Sequence, residues 1–326
     1  MEFKEVHLKS RPKGVPEATD FEIVSVDLPD PEPGQVLLRN VWMSVDPYMR
    51  GQMRFAPEGS AIGGGAIGEV VASAHDDFKE GDFVEHHQGW REGALSDGRG
   101  LRKVDPDLAP LSAYLGVLGM PGLTAYGGLL RTGEYKDGEI VFVSAASGAV
   151  GSVVGQITRI RGGTAIGSAG SDEKVAALKE EFGFQHAFNY KTEEPLAALQ
   201  VASPEGIDIY FENVGGPQLE AALEAMKMWG RIPICGMISN YNDQGEPSPG
   251  PRNLTSTIYK HVCLRGFVVT EFEDMRDDFV KDVSGWIKSG ELKYHETVLE
   301  GIDNAPNAFI GLFSGANDGK MLVKLA

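Results

Sequence analysis

Residues 143–156 read VSAASGAVGSVVGQ, without a charge and, Gln156 apart, with nothing larger than valine. The stretch leaves an apolar run, EIVFVS (139–144), and enters a segment with Val150, Val153, Val154, Ile157 and Ile160 at helical spacing. Side chains are stripped away where a strand turns into a helix. Either two backbones pack closely there, or something other than protein approaches them. Downstream the texture repeats. TAIGS (164–168), HAFNY (186–190), IDIYFENV (207–214), RIPICG (231–236) and CLRGFVVT (263–270) read as strands, with DEKVAALKEEF (172–182) and PQLEAALEAMKMW (217–229) as helices between them. Strands alternating with helices imply a parallel, doubly wound sheet, because parallel strands need long crossovers.

Upstream of about Thr124 the texture differs. GQVLLRNVWMSV (34–45) has strand composition after the turn signal PDPEPG, and GEVVAS (68–73) and GDFVEH (81–86) follow with glycines between. Strand texture returns in the tail, with YHETVLEG (294–301) and KMLVKLA (320–326) around a helix-like stretch near APNAFIGLF (305–313). The fold class expected is therefore α/β, with a mainly-β domain from residues 1–122 and 295–326 and a doubly wound domain over 123–294.

The opening stretch carries an A-x-G-x-x-G pattern in Ala146, Gly148 and Gly151. A small first residue permits a tight turn, Gly148 lets a pyrophosphate reach the backbone, and Gly151 lets the helix pack on the strand. The helix start offers amides and a partial positive charge to the anion. Such a pattern recurs by chance, but here strand, helix and second strand stand at the spacing of a dinucleotide site. At the end of the second strand an acidic residue would bind the ribose 2′-hydroxyl of NAD. This chain has GSAGS (167–171), with no carboxylate before Asp172, and Lys174 follows in the first turn of the next helix. That arrangement favours NADP over NAD.

The bulk composition narrows the partners. The 326 residues suit two domains, and 42% hydrophobic with 24% charged residues is ordinary for a globular protein. A net charge of −17 repels phosphate backbones and anionic lipid, so neither nucleic acid nor membrane is an expected partner. The uncharged run AYLGVLGMPGLTAYGGLL (113–130) approaches the length of a membrane span, but glycines and Pro121 interrupt it, and a buried segment is expected. The charged start MEFKEVHLKSRPKG lacks the apolar core of a secretory signal, so a cytoplasmic protein is expected.

Several chemistries lack their residues. Cys235 and Cys263, the only cysteines, have no partner at metal-ligand spacing, and the adjacent His86 and His87 would point to opposite faces of a strand. No tyrosine is followed four residues on by lysine, and neither a phosphate loop nor a G-x-S-x-G elbow occurs. No metal is expected, and the bound cofactor would supply the reactive atom.

SVDPYMRG (44–51), GVLGMPGLTAY (116–126), AASGAVGSVVGQ (145–156), ENVGG (212–216) and RIPICGMISNYN (231–242) together resemble the zinc-independent enone reductases. These form the branch of the medium-chain dehydrogenase/reductases with prostaglandin reductase, plant alkenal double-bond reductases and bacterial NADPH-dependent curcumin reductase. The resemblance runs from about residue 10 to the C-terminus. It implies a GroES-like mainly-β domain split between N-terminus and tail, with a Rossmann domain between. Where zinc-dependent relatives carry a Gly-His-Glu ligand motif, this chain has GGGAIGE (63–69).

By matching motif, Ala149, Val150, Gly151 and Ser152 would line the pyrophosphate of NADPH. Lys174 and Tyr190 would hold the 2′-phosphate, and Asn213 would lie near the ribose. Cys235, Gly236, Met237, Ile238, Ser239 and Tyr241 would flank the nicotinamide with Phe267, Val268, Val269 and Thr270, and Asn317 would reach in from the tail. Lys174 also reads as a solvated surface residue, Asn213 as a turn residue, and Cys235 as a small core residue. The implied reaction is reduction of a carbon–carbon double bond conjugated to a carbonyl, in an enone or alkenal. Tyr241 would stabilise the enolate and Tyr48 would line the substrate pocket. A homodimer is implied, with CLRGFVV (263–269) a candidate shared sheet edge. A quinone reductase on the same fold, or a non-catalytic NADPH-binding protein, are the competing readings. The loop NDQGEPSPGPRN (242–253) reads equally as a lid or as a long connection.

Overall fold

The computed structural model describes residues 1–243 and 248–326 and divides the chain into two compact units, Met1–Gly116 with Glu296–Ala326, and Val117–His295. Part of the 242–253 loop thus lies outside the described residues.

The first unit starts with β1 (Glu2–Leu8), β2 (Phe21–Asp27), β3 (Val36–Ser44), β4 (Ser60–Ala61), β5 (Ala66–Ser73), β6 (Phe83–His86), β7 (Gly93–Ser96) and β8 (Arg102–Lys103). One four-residue helix, α1 (Met49–Gln52), follows β3. The turn signal before β3 closes with Gln35 N–H on the Glu32 carbonyl (2.8 Å), and Gly34 takes φ +85°, where a Cβ would be strained. β1 pairs antiparallel with β2 and β4, and β3 pairs antiparallel with β5 and β7.

The adjacent histidines part as strand alternation requires, His86 buried and His87 exposed. His86 Nδ1 accepts the Gln88 N–H (3.1 Å), which puts the ring proton on Nε2, facing Asn40 Oδ1 at 2.8 Å. Burial and the charges of His87 and Arg91 hold its pKa down to about 3. It is a neutral core residue that ties β3 to the segment after β6.

The second unit holds α2 (Met120–Gly127), β9 (Ile140–Val143), α3 (Gly151–Ile160), β10 (Thr164–Ala169), α4 (Asp172–Glu180), β11 (His186–Asn189), α5 (Pro195–Ala202), β12 (Ile207–Phe211), α6 (Gly216–Ala225), β13 (Met226–Ile234), α7 (Ser256–Lys260), β14 (Cys263–Gly266) and α8 (Arg276–Ser289). All sheet pairings are parallel, in the order β11-β10-β9-β12-β13-β14. Relative to the first strand this is 3-2-1-4-5-6, the doubly wound order, with its switch point between β9 and β12. β9 and β12 run apolar because both faces are covered. Phe142 and Tyr210 stack across them at 4.8 Å, in a core shared with Ile166, Phe188, Leu223 and Ile232. Among the described residues no helix is long and apolar enough to cross a membrane. The run 113–130 is nearly all buried, and its α-helix spans only eight residues.

Two expectations are corrected. The helix expected over 217–229 stops at Ala225, and Met226–Trp229 begin β13, where Met226 pairs with Ile207. Pairing in the sheet overrides a spacing that would extend the helix. The strand expected over 263–270 ends at Gly266, and Val269–Met275 form a 3₁₀ helix.

The tail then completes the first unit. β15 (Glu296–Glu300) and β16 (Lys320–Lys324) pair in parallel around α9 (Ala305–Ser314), and β16 joins β3 antiparallel. Phe309 of α9 packs edge-on against Trp90 and Phe21, closing the core of that unit.

Candidate active site

In doubly wound sheets ligands bind beyond the carboxyl ends of the strands, at the switch point. Here that is where β9 and β12 lead into Ser144–Val150 and Glu212–Gly215. The turn after β9 has its left-handed residue at Ala145 (φ +48°), one position before the alanine of the motif. Gly151 opens α3 so close to this turn that a Cβ would stand 2.5 Å from the Ala145 carbonyl oxygen and 2.8 Å from Ala146 Cα. A Cβ on Gly148 would meet only that same oxygen, at 3.2 Å, so its outer face is open. Ser152 N–H reaches the Gly148 carbonyl at 3.0 Å, and the amides of Ala149 to Gly151 precede that ladder. This small-residue cradle ahead of a helix start fits a pyrophosphate.

At the end of β10, Ser171 caps α4 by accepting the Lys174 N–H, which sets Lys174 in the first turn. Tyr190 follows β11, its N–H on the Ala169 carbonyl at 3.2 Å. A Cβ on Gly170 would lie 2.9 Å from the Tyr190 hydroxyl and 3.3 Å from Lys191 Cε. Tyr190 and Lys191 thus converge on Gly170, beside the α4 turn that carries Lys174. Lys191 escaped sequence reasoning, although it adjoins Tyr190. The first carboxylate, Asp172, is engaged by Asn189 Nδ2 at 2.7 Å.

A buried carboxylate organises the ends of β12 and β13. Glu212 Oε1 accepts Tyr210 O–H (2.7 Å), Val214 N–H (2.6 Å) and Gly215 N–H (2.8 Å), with Ser144 Oγ at 3.3 Å. Its main-chain oxygen accepts Cys235 N–H (3.0 Å) and Gly236 N–H (3.1 Å). Asn213 donates from Nδ2 to the Ser144 carbonyl (2.8 Å), so its side chain ties β12 to β9. Over this base lies the turn of Met237 to Tyr241, with Ile238 N–H on the Asn213 carbonyl and Ser239 N–H on the Val214 carbonyl, each at 3.1 Å. A Cβ on Gly236 would come within 2.8 Å of the Tyr241 hydroxyl, so the phenol lies over that glycine. Burial holds the Tyr241 proton above the ordinary phenol value, and Met237 N–H bonds to its oxygen. Cys235 is pushed up to about 12 by burial and the Glu212 charge, so it is a thiol. No sequence pattern marked Ser144 and Glu212 as functional. Their one signal was a polar residue closing each apolar run.

At the far edge Phe267 is a core ring, packed between Phe211 (6.0 Å) and Phe272 (5.4 Å), while Val268 is exposed and Val269 starts the 3₁₀ helix. Tyr48 and Asn317 belong to the other unit. Asn317 Nδ2 donates to the Gly319 carbonyl at 2.8 Å. Tyr48 precedes α1 and is 38% exposed, and the packing around the rest of its ring, followed by the Asp46 charge, raises its phenol pKa. In GGGAIGE, the space beside Gly64 is taken by Met49 and the Trp90 indole, and among the described residues no three His, Cys, Asp or Glu gather for a metal.

Residues 4–104 match the N-terminal domain of oxidoreductase family, and residues 149–284 match the family described as zinc-binding dehydrogenase. Prostaglandin reductase 1 of Sus scrofa is 46% identical over 97% of each chain. The 2-alkenal reductase (NADP(+)-dependent) of Nicotiana tabacum is 45% identical over 99% of this chain and 97% of its own. The crystal structure of CurA from Vibrio vulnificus in complex with NADPH superposes with a TM-score of 0.92 at 39% identity, covering 99% of each chain. The chain belongs to the zinc-independent medium-chain dehydrogenase/reductases, in the branch of the prostaglandin, alkenal and curcumin reductases.

Proposed function

We propose that this protein uses NADPH to reduce the carbon–carbon double bond of α,β-unsaturated ketones and aldehydes. The observation that carries the reading is the open-faced Gly148–Gly151 turn after β9, with the Tyr241 phenol over Gly236 just past β13 of the same sheet. Ala149 to Ser152 hold the pyrophosphate, and Lys174 with Tyr190 holds the 2′-phosphate. Asn213, Cys235 to Tyr241 and Phe267 to Thr270 surround the nicotinamide. When bound, NADPH supplies a hydride for the β-carbon of the substrate.

The work left to the protein is electrostatic. Negative charge develops on the carbonyl oxygen as the double bond is reduced, and a fixed donor there is the largest contribution a protein can make. Tyr241 suits the task because a phenol carries its proton at neutral pH, and partial burial only strengthens that. The Met237 N–H on its oxygen polarises the phenol towards donation. Tyr48 is assigned to the wall of the substrate pocket.

The unpaired Cys235 and Cys263 suit a reducing compartment, and we place the protein in the cytoplasm. We take it to act as a homodimer through the β14 edge, where Ile258, Tyr259 and Val268 are exposed. The activity is tested by following 340 nm absorbance with NADPH and a panel of enones, alkenals and quinones, with NADH and a chelator as controls. Consumption that needs an enone, prefers NADPH and ignores the chelator is expected. Turnover of quinones alone would make it a quinone reductase, and NADPH binding without turnover a non-catalytic protein.

A further inference from the structure

In SVDPYMRG, Ser44, Val45, Asp46, Met49 and Arg50 are all buried, and the large side chain left exposed is Tyr48. The segment is held from two sides. Arg50 donates from Nε and Nη2 to the Gly14 carbonyl (3.3 and 3.1 Å) and from Nη2 to the Pro12 carbonyl (3.1 Å). Lys320, the first residue of β16, is 4% exposed and spends its three protons on the Val45 carbonyl (2.9 Å), the Met321 carbonyl (2.8 Å) and Asp46 Oδ1 (3.1 Å). Asp46 Oδ2 takes the Ser44 hydroxyl. The Asp46 carbonyl accepts Met49 N–H at 3.1 Å, and Met49 sulfur receives Asp46 N–H (3.4 Å) and Trp90 Nε1–H (3.3 Å). These side-chain bonds fix the residues on either side of Pro47–Tyr48, whose own carbonyls accept Arg50 N–H (3.1 Å) and Gly51 N–H (2.9 Å).

A buried ion pair is a poor way to gain stability, since well-packed apolar residues of similar volume often do as well or better. What a fully bonded ammonium adds is direction. It fixes a carbonyl and a carboxylate at set positions, and Pro47 restricts the backbone immediately after them. The ammonium belongs to the tail, more than 270 residues downstream of the loop it fixes.

We propose that Lys320, through Asp46 and the Val45 carbonyl, is a positioning residue that sets where Tyr48 stands against the substrate. The inference rests on the reading of Tyr48 as a wall of the substrate pocket.

The test combines Lys320→Met with Asp46→Asn, so that no buried charge is left uncompensated, and compares the pair with Tyr48→Ala and with all three changes together. Steady-state kinetics use 3-nonen-2-one, NADPH affinity is read by fluorescence titration, and Tm is recorded for each protein. The pair is expected to raise KM about tenfold, the scale of a small misplacement of a binding group. NADPH affinity should stay within twofold of wild type, and the pair should add nothing further in the Tyr48→Ala background. A role in folding alone would not produce that non-additivity. An unchanged KM in the pair, with a raised KM in Tyr48→Ala, overturns the positioning role and leaves the Tyr48 reading standing. If Tyr48→Ala itself changes neither KM nor kcat, the Tyr48 reading fails and this inference with it. Should the pair not fold, Lys320→Arg keeps the charge but forces the Val45 carbonyl aside. It should raise KM likewise, and an unchanged KM refutes the proposal.

Discussion

Acid should destabilise the first unit through His86 specifically. Its imidazole is neutral in the fold, with a pKa of about 3, against about 6.5 for an unperturbed histidine. As pH falls below 6.5 the unfolded chain takes up a proton that the folded chain refuses. The unfolded state then binds more protons, and the stability of the fold declines with pH. The contribution is intact above about pH 7.5 and is lost progressively down to about pH 3. Linkage over that interval gives a loss of about 0.8 kcal/mol at pH 6 and about 2 kcal/mol at pH 5, relative to pH 8. His86→Gln removes the titration while leaving an amide to face Asn40. At pH 8 it should cost about 1–3 kcal/mol, the scale of a disturbed buried hydrogen bond. Between pH 8 and pH 5, however, it should lose about 2 kcal/mol less than wild type. Urea unfolding at each pH, followed through tryptophan fluorescence, supplies both numbers. Equal losses in the two proteins would show that His86 accepts a proton in the fold without penalty, and the buried neutral assignment would be wrong.

Three further outcomes bear on the site. Tyr241→Phe should lower kcat for an enone about 100-fold, the usual scale for one oxyanion donor, with NADPH affinity nearly unchanged in a fluorescence titration. Loss of affinity instead would make Tyr241 structural. Lys174→Ala should weaken NADPH at least tenfold and NADH hardly at all, because only NADPH carries the 2′-phosphate, and equal weakening of both would remove that assignment. Gly151→Ala forces a methyl against the Ala145–Ala146 backbone and should weaken NADPH about tenfold or more. Wild-type affinity by calorimetry would show that the turn has room to give.

Much of the second unit is legible because a strand covered on both faces must be apolar and short. EIVFVS and IDIYFENV announce themselves in that way, and β9 and β12 fall within them. The end of α6 is not legible. Met226, Lys227, Met228 and Trp229 continue a plausible helix, and only the pairing of Met226 with Ile207 shows why the chain leaves it. The pyrophosphate turn can be read because missing side chains leave a mark in sequence. Glu212 cannot, since Ser144 and Cys235 reach it only through the β9-β12-β13 order, and its near neighbours Tyr210 and Val214 carry no mark of the role. Lys320 is the extreme case. A lysine opening a strand reads as a surface charge, and only the return of β16 to β3 buries it against Val45 and Asp46.

The central claim is that hydride goes to the β-carbon of a conjugated carbonyl compound. It is tested most directly by running the reaction with NADPH deuterated at C4 of the nicotinamide and locating the label in the product by NMR. One deuterium at the β-carbon, with a solvent-derived hydrogen at the α-carbon and the carbonyl intact, is the predicted result. Label on the carbonyl carbon, giving an allylic alcohol, or recovery of unlabelled enone with NADPH unconsumed, would contradict the account.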